Sequence, residues 1–462
     1  MASTNVMASD DETLNTRSTN GTSIPQPNGA SHPNNNNNNN TSPSLPIIIA
    51  GGGCVGLFLA LLLSHSPIRN PIIIIEPQTP DPSSTRAMAH QPLTYPILAQ
   101  VPNLLPELVQ AGSLSSGLCF RTSVQHGSRL IAGKEFDDSG DQGMQGKGQL
   151  LLPQGKFQKV LMRRLEDRAE IRIGWSVSAV TPSGRDCVGV HVTPTSPTQL
   201  GDEKIEATYL IDASGAHSHI RKQLDIKLEG ETLDAQLVAT DLSFDFRAHG
   251  FYDANFIMDP VDYGLVGRIN SATDGQPALW RVSYGVPLGV SEEDIWQKVD
   301  DKLRVMLPNG GRDEKGEVAY KVVRIAPYKA QQRLASTLYD ASSRTCLVGD
   351  AAHLTNPYAG LGLASGIADA SSLSDVLIRI LTDEASDPER LLESWSEARR
   401  KKFLEAVDKP SRMAYKRVKA DVNTDEKVQE FVEKDPLVGA LKSGMPVKPP
   451  SLETKGEELE GW

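Results

Sequence analysis

The chain of 462 residues is 39% hydrophobic and 23% charged, which is enough to bury the core of one large domain or of two closely packed domains. Its formal net charge of -11 argues against nucleic acid or an anionic membrane surface as a partner, because neither would be attracted over long range. The four cysteines lack CxxC spacing. We therefore expect no disulfide framework and no metal site, and a cytoplasmic location fits.

The N-terminal segment divides into a polar tail and an uncharged stretch. Residues 1–45 are rich in Ser, Thr, Asn and Pro and include seven consecutive asparagines from Asn34 to Asn40, which predicts a disordered tail. The stretch from Leu45 to Leu63 has no charge, so a membrane span is one alternative. Three glycines interrupt it, and a β-branched run changes there to a Leu-rich pattern, which favours a strand, a turn and a helix.

A glycine-rich turn follows the first predicted strand, which runs from Pro46 to Ala50 and is apolar throughout, as in a buried parallel sheet. The next six residues fit GxGxxG. In such a turn Gly51 permits the tight bend, Gly53 lets the backbone approach a pyrophosphate, and Gly56 lets the helix lie close to the strand. The helix N-terminus then faces the phosphates.

A second apolar strand, from Pro71 to Ile75, ends in Glu76, about twenty residues after the last glycine. A carboxylate at this position can accept hydrogen bonds from ribose hydroxyls of a dinucleotide. The strand, the turn, the helix and the acid together predict a dinucleotide site, with FAD and NAD both open at this point.

A third motif follows another apolar strand at Thr345 to Val348, and it reads Gly-Asp-Ala-Ala-His from Gly349 to His353. Pro357, Gly360 and Gly362 come after it, at the start of a helix predicted to end at Leu381. An aspartate at a strand end can hold flavin ribityl hydroxyls, and a glycine-rich helix start can place backbone N–H groups near the flavin N1/O2 edge.

The motifs resemble, in type and order, those of the class A, single-component flavoprotein monooxygenases, the family of aromatic hydroxylases such as para-hydroxybenzoate hydroxylase. The chain is also similar to fungal secondary-metabolism members of that family. The resemblance extends over about residues 46 to 400 and includes an Arg86-Ala87 pair and Leu152-Pro153-Gln154. It implies that FAD is held by the following residues: Gly51, Gly53, Gly56, Glu76, Arg86, Gln154, Asp350, Gly360, Gly362 and Leu363.

One segment departs from the family pattern. Members usually carry Asp-Gly followed by Ser-x-x-Arg, whereas this chain has Ser214-Gly215 followed by Ser218 and Arg221, with Asp212 upstream. In the family this segment serves the FAD pyrophosphate and NAD(P)H, so Ser214 leaves open how the reductant binds. The same string is also similar to flavin-dependent halogenases and reductases, although a Trp-x-Trp-x-Ile-Pro element is missing from the sequence.

Residues 232–330 alternate apolar and polar positions, which predicts antiparallel strands. We expect an α/β fold with a Rossmann-type FAD-binding domain (46–231 and 331–385, with some substrate-domain strands within 90–150). An interposed antiparallel-sheet substrate domain (232–330), a helical C-terminal segment (386–430) and a loose tail (431–462) complete the expected order. The predicted substrate-pocket residues are Phe244, Phe256, Trp280, Tyr284 and Pro357.

The resemblance implies an FAD-dependent monooxygenase that uses NADH or NADPH and O2 to hydroxylate or epoxidise a small aromatic or polyketide-like metabolite through a flavin C4a-hydroperoxide. The cofactor performs this chemistry, so the sequence need not show an acid-base pair, and we assign no catalytic residue. Halogenation, double-bond reduction and a non-catalytic flavin-binding role remain the alternatives. The substrate, the choice of reductant and the oligomeric state are left open.

Overall fold

The computed structural model describes residues 44–86, 88–136, 148–196, 201–272, 277–447 and 449–462. Nearly all of the tail predicted over 1–45, together with Ala87, lies outside these residues. Residues 44–462 form one compact unit, so the sequence-based division into FAD-binding and substrate domains stays a prediction.

The strands that the structure describes follow in chain order. They are β1 (Ile47–Ala50), β2 (Ile72–Glu76), β3 (Ala89–His90), β4 (Ser113–Leu114), β5 (Gly117–Thr122), β6 (Leu130–Glu135), β7 (Leu150–Leu151), β8 (Glu170–Ile173), β9 (Trp175–Pro182), β10 (Val188–Pro194), β11 (Glu203–Ala207), β12 (Tyr209–Asp212), β13 (Leu228–Ser243), β14 (Ala254–Met258), β15 (Gly264–Arg268), β16 (Leu279–Pro287), β17 (Lys321–Ala335), β18 (Tyr339–Asp340), β19 (Thr345–Leu347) and β20 (His353–Leu354).

The α-helices are interleaved with these strands and continue after the last of them. They are α1 (Cys54–Ser64), α2 (Tyr95–Leu98), α3 (Leu104–Ala111), α4 (Gln154–Leu165), α5 (His219–Gln223), α6 (Glu292–Gln297), α7 (Val299–Met306), α8 (Gly362–Leu381), α9 (Pro388–Phe403), α10 (Lys409–Val418), α11 (Asp425–Lys434) and α12 (Pro436–Lys442).

A six-stranded sheet carries the three motifs, in the order β18-β19-β12-β1-β2-β8. All of its pairs are parallel except β18 with β19. The residues of β1 are fully buried, as expected for a strand covered on both faces. Because parallel strands end at a common edge, the segments that follow β1, β2, β12 and β19 meet there, and this edge is where ligands bind in open α/β folds.

A second, eight-stranded sheet has the order β20-β17-β13-β16-β15-β14-β5-β6. Its long central strands, β13, β16 and β17, pair antiparallel, as the alternating pattern predicts, while β14 and β5 pair parallel. Strands from before residue 150 and after residue 330 join this sheet. The α/β fold with an interposed sheet and a helical C-terminal segment is thus confirmed.

Helices α1 and α8 pack closely against each other and against the segment after β19. A Cβ on Gly366 of α8 would lie 2.6 Å from Val55 Cγ2 and 3.1 Å from Gly349 Cα. Only a residue without a side chain fits this approach, so the small residues of α8 bring the glycine-rich turn after β1 and the third motif together.

The uncharged stretch from Leu45 to Leu63 forms β1, the turn and most of α1, a helix of 11 residues. Within the described part of the chain, no helix is long and apolar enough to cross a membrane.

The expectation of a loose tail over 431–462 is wrong for the residues described there. Helix α12 buries Val438, and beyond it Leu452 and Leu459 are only 2% and 6% exposed. Both leucines join the core formed by the parallel sheet and its helices. Burial of these isolated apolar side chains fixes a segment whose prolines alone predict no regular structure.

Truncating Leu452 tests this docking. Leu452→Ala removes a buried side chain from the core, so we expect the free energy of unfolding to fall by about 2–5 kcal/mol. Val447→Ala is the matched control, because Val447 is 42% exposed and should leave stability within about 0.5 kcal/mol of the parent. Equal urea-unfolding midpoints for both variants would show that the segment is not docked.

Candidate functional site

In the turn after β1, two glycines lie tightly against neighbouring backbone, and the third faces open space. Gly51 has φ +113°, and a Cβ there would lie 2.4 Å from the carbonyl oxygen of Ala213. A Cβ on Gly56 would lie 2.2 Å from the carbonyl oxygen of Gly51. In contrast, a Cβ on Gly53 would meet no atom within 4 Å. Two glycines therefore make the turn and the close packing, and the third leaves the backbone accessible.

The helices that begin at this edge have free N-termini. Neither α1, with Gly53 as its N-cap, nor α8, with Leu361, receives a hydrogen bond from a capping side chain. The first-turn N–H groups of a helix have no partner inside the helix and favour negative charge. The first turn of α1 thus suits a pyrophosphate, and that of α8, at Gly362 and Leu363, suits the electron-rich edge of a flavin.

Glu76 and Gln158 hold the glycine turn from two sides. The Gly52 N–H donates to Glu76 Oε2 at 2.6 Å, and Gln158 Nε2 donates to the Gly52 carbonyl at 2.9 Å. Sequence reasoning missed Gln158, although it lies four residues after Gln154 on α4 and so on the same face of that helix.

The structure brings Arg86 and Gln154 onto neighbouring segments. Gly155 packs against the chain before Arg86: its N–H donates to the Ser84 carbonyl at 3.0 Å, and a Cβ there would lie 2.4 Å from the Asp81 carbonyl oxygen. Arg86 is exposed and Gln154 is half-buried. Gln154 is the first residue of α4, and its side chain does not cap that helix.

Asp350 lies just after β19, at the edge where the parallel strands end. Its side chain is exposed to water, yet burial by the surrounding protein raises the pKa of its carboxyl. The carboxyl is therefore accessible to a ligand at this edge. Further along the same segment, Gly360 has φ +65°, and Pro357, Gly360 and Gly362 are half-buried.

These observations fit FAD. The open space at Gly53, the free first turns of α1 and α8 and the carboxylate of Asp350 match a pyrophosphate, a flavin edge and a polyol chain, respectively. When bound, FAD supplies the redox chemistry, and the chain supplies binding and orientation.

The segment that departs from the family pattern, from Asp212 to Arg221, is held by several hydrogen bonds. Asp212 is buried and accepts hydrogen bonds from the Ser214 N–H at 3.0 Å and from the hydroxyls of Ser214 and Ser218 at 2.5 Å each. Burial raises the pKa of Asp212, while these donors and Arg221 oppose the rise. Arg221 in turn donates to the Ala351 carbonyl at 2.8 Å, which ties this segment to the third motif.

Three of the predicted pocket residues need correction. Phe244, Trp280 and Tyr284 are at most 6% exposed and form a core with side chains of α6 and α7. Side chains alternate along a strand, so Trp280 and Tyr284 point away from the face that carries Arg281 and Ser283. We reassign these three aromatic residues to the core behind the sheet.

The other two predicted pocket residues, Phe256 and Pro357, keep their assignment. Phe256 is half-buried, stacks on Phe120 at 4.9 Å between ring centroids, and packs against a cluster that includes Tyr358. Because Tyr358 follows Pro357, this sheet face lies beside the segment that leads into α8. We propose that both residues line the substrate pocket.

A cationic cluster, consisting of Asp241, Arg281 and Arg324 with Thr85, occupies the same sheet face. Asp241 accepts from Arg281 Nε and Nη2 at 2.7 and 2.9 Å and from Thr85 Oγ1 at 2.6 Å. Arg324 Nη1 lies 3.7 Å from Asp241 Oδ2, and its side chain is 38% exposed. Two guanidinium groups share one carboxylate, so the cluster keeps a positive charge beside Arg86, whose carbonyl accepts from Arg281.

The comparison with known families assigns the fold. A profile described as an FAD binding domain matches residues 44–409. Para-nitrophenol 4-monooxygenase of Pseudomonas sp. (strain WBC-3) is 31% identical over 359 residues, covering 78% of this chain and 83% of that protein. The chain belongs to the class A FAD-dependent monooxygenases. A second relative of this monooxygenase, 6-hydroxy-3-succinoylpyridine 3-monooxygenase of Pseudomonas putida (strain DSM 28022 / S16), is 30% identical, covering 78% of this chain and 86% of that protein.

Solved structures agree with this assignment. The crystal structure of p-nitrophenol 4-monooxygenase PnpA from Pseudomonas putida DLL-E4 matches with a TM-score of 0.74 and 27% identity, covering 87% of this chain and 96% of that one. The fold of the flavin-dependent monooxygenase PieE, solved with FAD and substrate, matches with a TM-score of 0.66 at 19% identity, covering 87% of this chain and 70% of that one. The monooxygenase assignment and its FAD requirement are confirmed, and the individual FAD contacts remain proposals.

Two glycine variants separate cofactor contact from folding. Gly53→Ala adds a methyl group in open space, so the apoprotein should keep its melting temperature while the Kd for FAD rises about tenfold or more, because the methyl group occupies the pyrophosphate path. Gly56→Ala should lower the melting temperature itself, because its Cβ overlaps the Gly51 carbonyl. Normal FAD affinity in Gly53→Ala, measured by flavin fluorescence quenching, would contradict the proposed pyrophosphate position.

Proposed function

We propose that this monooxygenase takes electrons from NADH or NADPH and, with O2, hydroxylates a small aromatic metabolite that carries an acidic group. The observation that supports it best is the cationic cluster on the sheet face beside the segment leading into α8. A positive charge that the cluster does not neutralise attracts a carboxylate, a phenolate or another anionic substituent. A polyketide-like substrate and a place in secondary metabolism remain predictions from the sequence.

The names of the relatives support an aromatic substrate. One acts on p-nitrophenol and the other on 6-hydroxy-3-succinoylpyridine, and both compounds are hydroxylated rings with a polar substituent. A ring hydroxyl makes the ring electron-rich, which suits oxygen insertion at carbon.

The chain contributes orientation and exclusion of water. Arg324 is the accessible cation of the cluster and would hold the acidic substituent, while Phe256 and Pro357 would flank the ring. Tyr328 lies on the same face of β17, four residues from Arg324; it is 38% exposed, yet burial raises the pKa of its phenol to about 12. Its neutral hydroxyl can therefore hydrogen-bond to substrate in the pocket. Covering the flavin with this sheet face keeps water from the reaction.

The reaction is tested directly with purified protein, FAD, NADH or NADPH, and phenols and hydroxypyridines with and without a carboxylate. Substrate-dependent O2 uptake with a product about 16 mass units heavier, one oxygen atom, is expected. A product that requires added halide would favour a halogenase. Failure of both nicotinamides to bleach the bound flavin would favour a non-catalytic flavoprotein.

Arg324→Met tests the role of the charge. Loss of the accessible guanidinium should raise KM for carboxylated substrates about tenfold and leave KM for neutral phenols unchanged, since only the former use the charge. Arg304→Met on α7, whose side chain is 57% exposed, is the matched control. An equal rise for charged and neutral substrates would show that Arg324 does not select the acidic group.

A further inference from the structure

A buried charge network, formed by His353, Asp369 and Arg399, lies beneath the third motif. All three residues are at most 2% exposed. Asp369 Oδ2 accepts from the Gly349 N–H at 3.0 Å and from His353 Nε2 at 2.7 Å. Its Oδ1 accepts from Arg399 Nε at 2.9 Å, and Arg399 Nη2 lies 2.8 Å from the same oxygen. The carboxylate therefore joins α8, α9 and the residue immediately before Asp350.

A third nitrogen of the Arg399 guanidinium, Nη1, reaches the C-terminal segment. Arg399 Nη1 donates to the Leu452 carbonyl at 2.6 Å and to Thr454 Oγ1 at 3.0 Å. Leu452 and Thr454 are themselves buried, at 2% and 7% exposure. A buried guanidinium needs hydrogen-bond acceptors for its N–H groups, and the segment from 449 to 462 supplies two of the acceptors of Arg399.

The Asp369 carboxyl is ionised at neutral pH. Burial alone would raise its pKa, but the electrostatic influence of His353 and Arg399, together with the hydrogen bonds from His353 and the Gly349 N–H, lowers the pKa to about 2. Asp369 therefore stays negative at neutral pH and remains a strong acceptor for the Gly349 N–H.

The loop between Gly349 and Ala352 is anchored at three points. Asp369 binds the Gly349 N–H, Arg221 binds the Ala351 carbonyl at 2.8 Å, and the Ala335 N–H donates to the Ala352 carbonyl at 2.7 Å. Asp350, whose side chain is exposed at the edge where the parallel strands end, lies between the first two anchors. A shift of the first anchor would turn its carboxylate away from the flavin polyol chain.

We propose that Asp369 and Arg399 are positioning residues for FAD, and that the C-terminal segment acts through them to aim Asp350 at the ribityl hydroxyls. Arg399 touches neither cofactor nor substrate in this account. The C-terminal segment, although remote in sequence from the three motifs, thereby contributes to FAD binding.

A double-mutant cycle on the full-length chain tests the proposal, with the Kd for FAD as the readout and no turnover required. Arg399→Lys keeps the charge but loses the forked geometry, and should weaken FAD binding about tenfold. Asp350→Ala should weaken it at least as much. In the Asp350→Ala background, Arg399→Lys should have no further effect, because its influence passes through Asp350.

Thr454→Val provides a milder change, and Arg390→Met the matched control. Thr454→Val should weaken FAD binding several-fold while the apoprotein melting temperature stays close to the parent value, so the cycle can be completed with it if Arg399→Lys does not fold. Arg390 binds Glu460 of the same segment at the surface, so its loss should leave FAD affinity unchanged. Multiplicative effects of Asp350→Ala and the network variant, or unchanged FAD affinity in the network variant, would overturn the proposal. Neither outcome depends on which substrate is hydroxylated.

Discussion

The close approach of helix α1 to the end of strand β1 is the constraint on which the site depends. Gly51 and Gly56 leave no room for side chains between the turn, the helix and the end of β12. This packing places the first turn of α1 at the shared edge of the parallel strands, where β2 contributes Glu76 and β19 leads to Asp350. The same closeness recurs where Gly366 of α8 meets Val55. Each contact is between backbones or small side chains, so little of the geometry can relax after substitution.

The eight-stranded sheet adds a second layer whose two faces have different roles. One face is closed by α6 and α7 over an aromatic core. The other carries Arg281, Arg324 and Tyr328, which are polar groups on a face turned toward the segments that follow β2 and precede α8. Since a strand exposes alternate residues to opposite faces, the core and the pocket are specified by neighbouring positions of one strand. If the polar face contacts the substrate as proposed, the stability of the sheet and its substrate preference are encoded at separate positions.

The strands and turns that carry the proposed flavin site could be predicted from sequence, because their requirements are local. A glycine with positive φ, an apolar strand and an acid at a strand end leave recognisable patterns at Gly51, Glu76 and Asp350. The wall of the proposed pocket was harder to predict from sequence. Alternation in β16 shows that Trp280 and Arg281 face opposite ways, but it does not show which face meets the substrate. The C-terminal segment left no pattern, since Leu452 and Leu459 lack periodicity and the Leu452 carbonyl is bound by Arg399, more than fifty residues earlier in the chain.

A crystal structure of this monooxygenase with FAD tests the central claim most directly. We expect a pyrophosphate oxygen about 3 Å from first-turn N–H groups of α1 beside Gly53, and a ribityl hydroxyl within hydrogen-bonding distance of the Asp350 carboxylate. The flavin ring would then lie between the first turn of α8 and the sheet face that carries Arg324. Electron density that places FAD elsewhere, or a pyrophosphate without contact to α1, would contradict it.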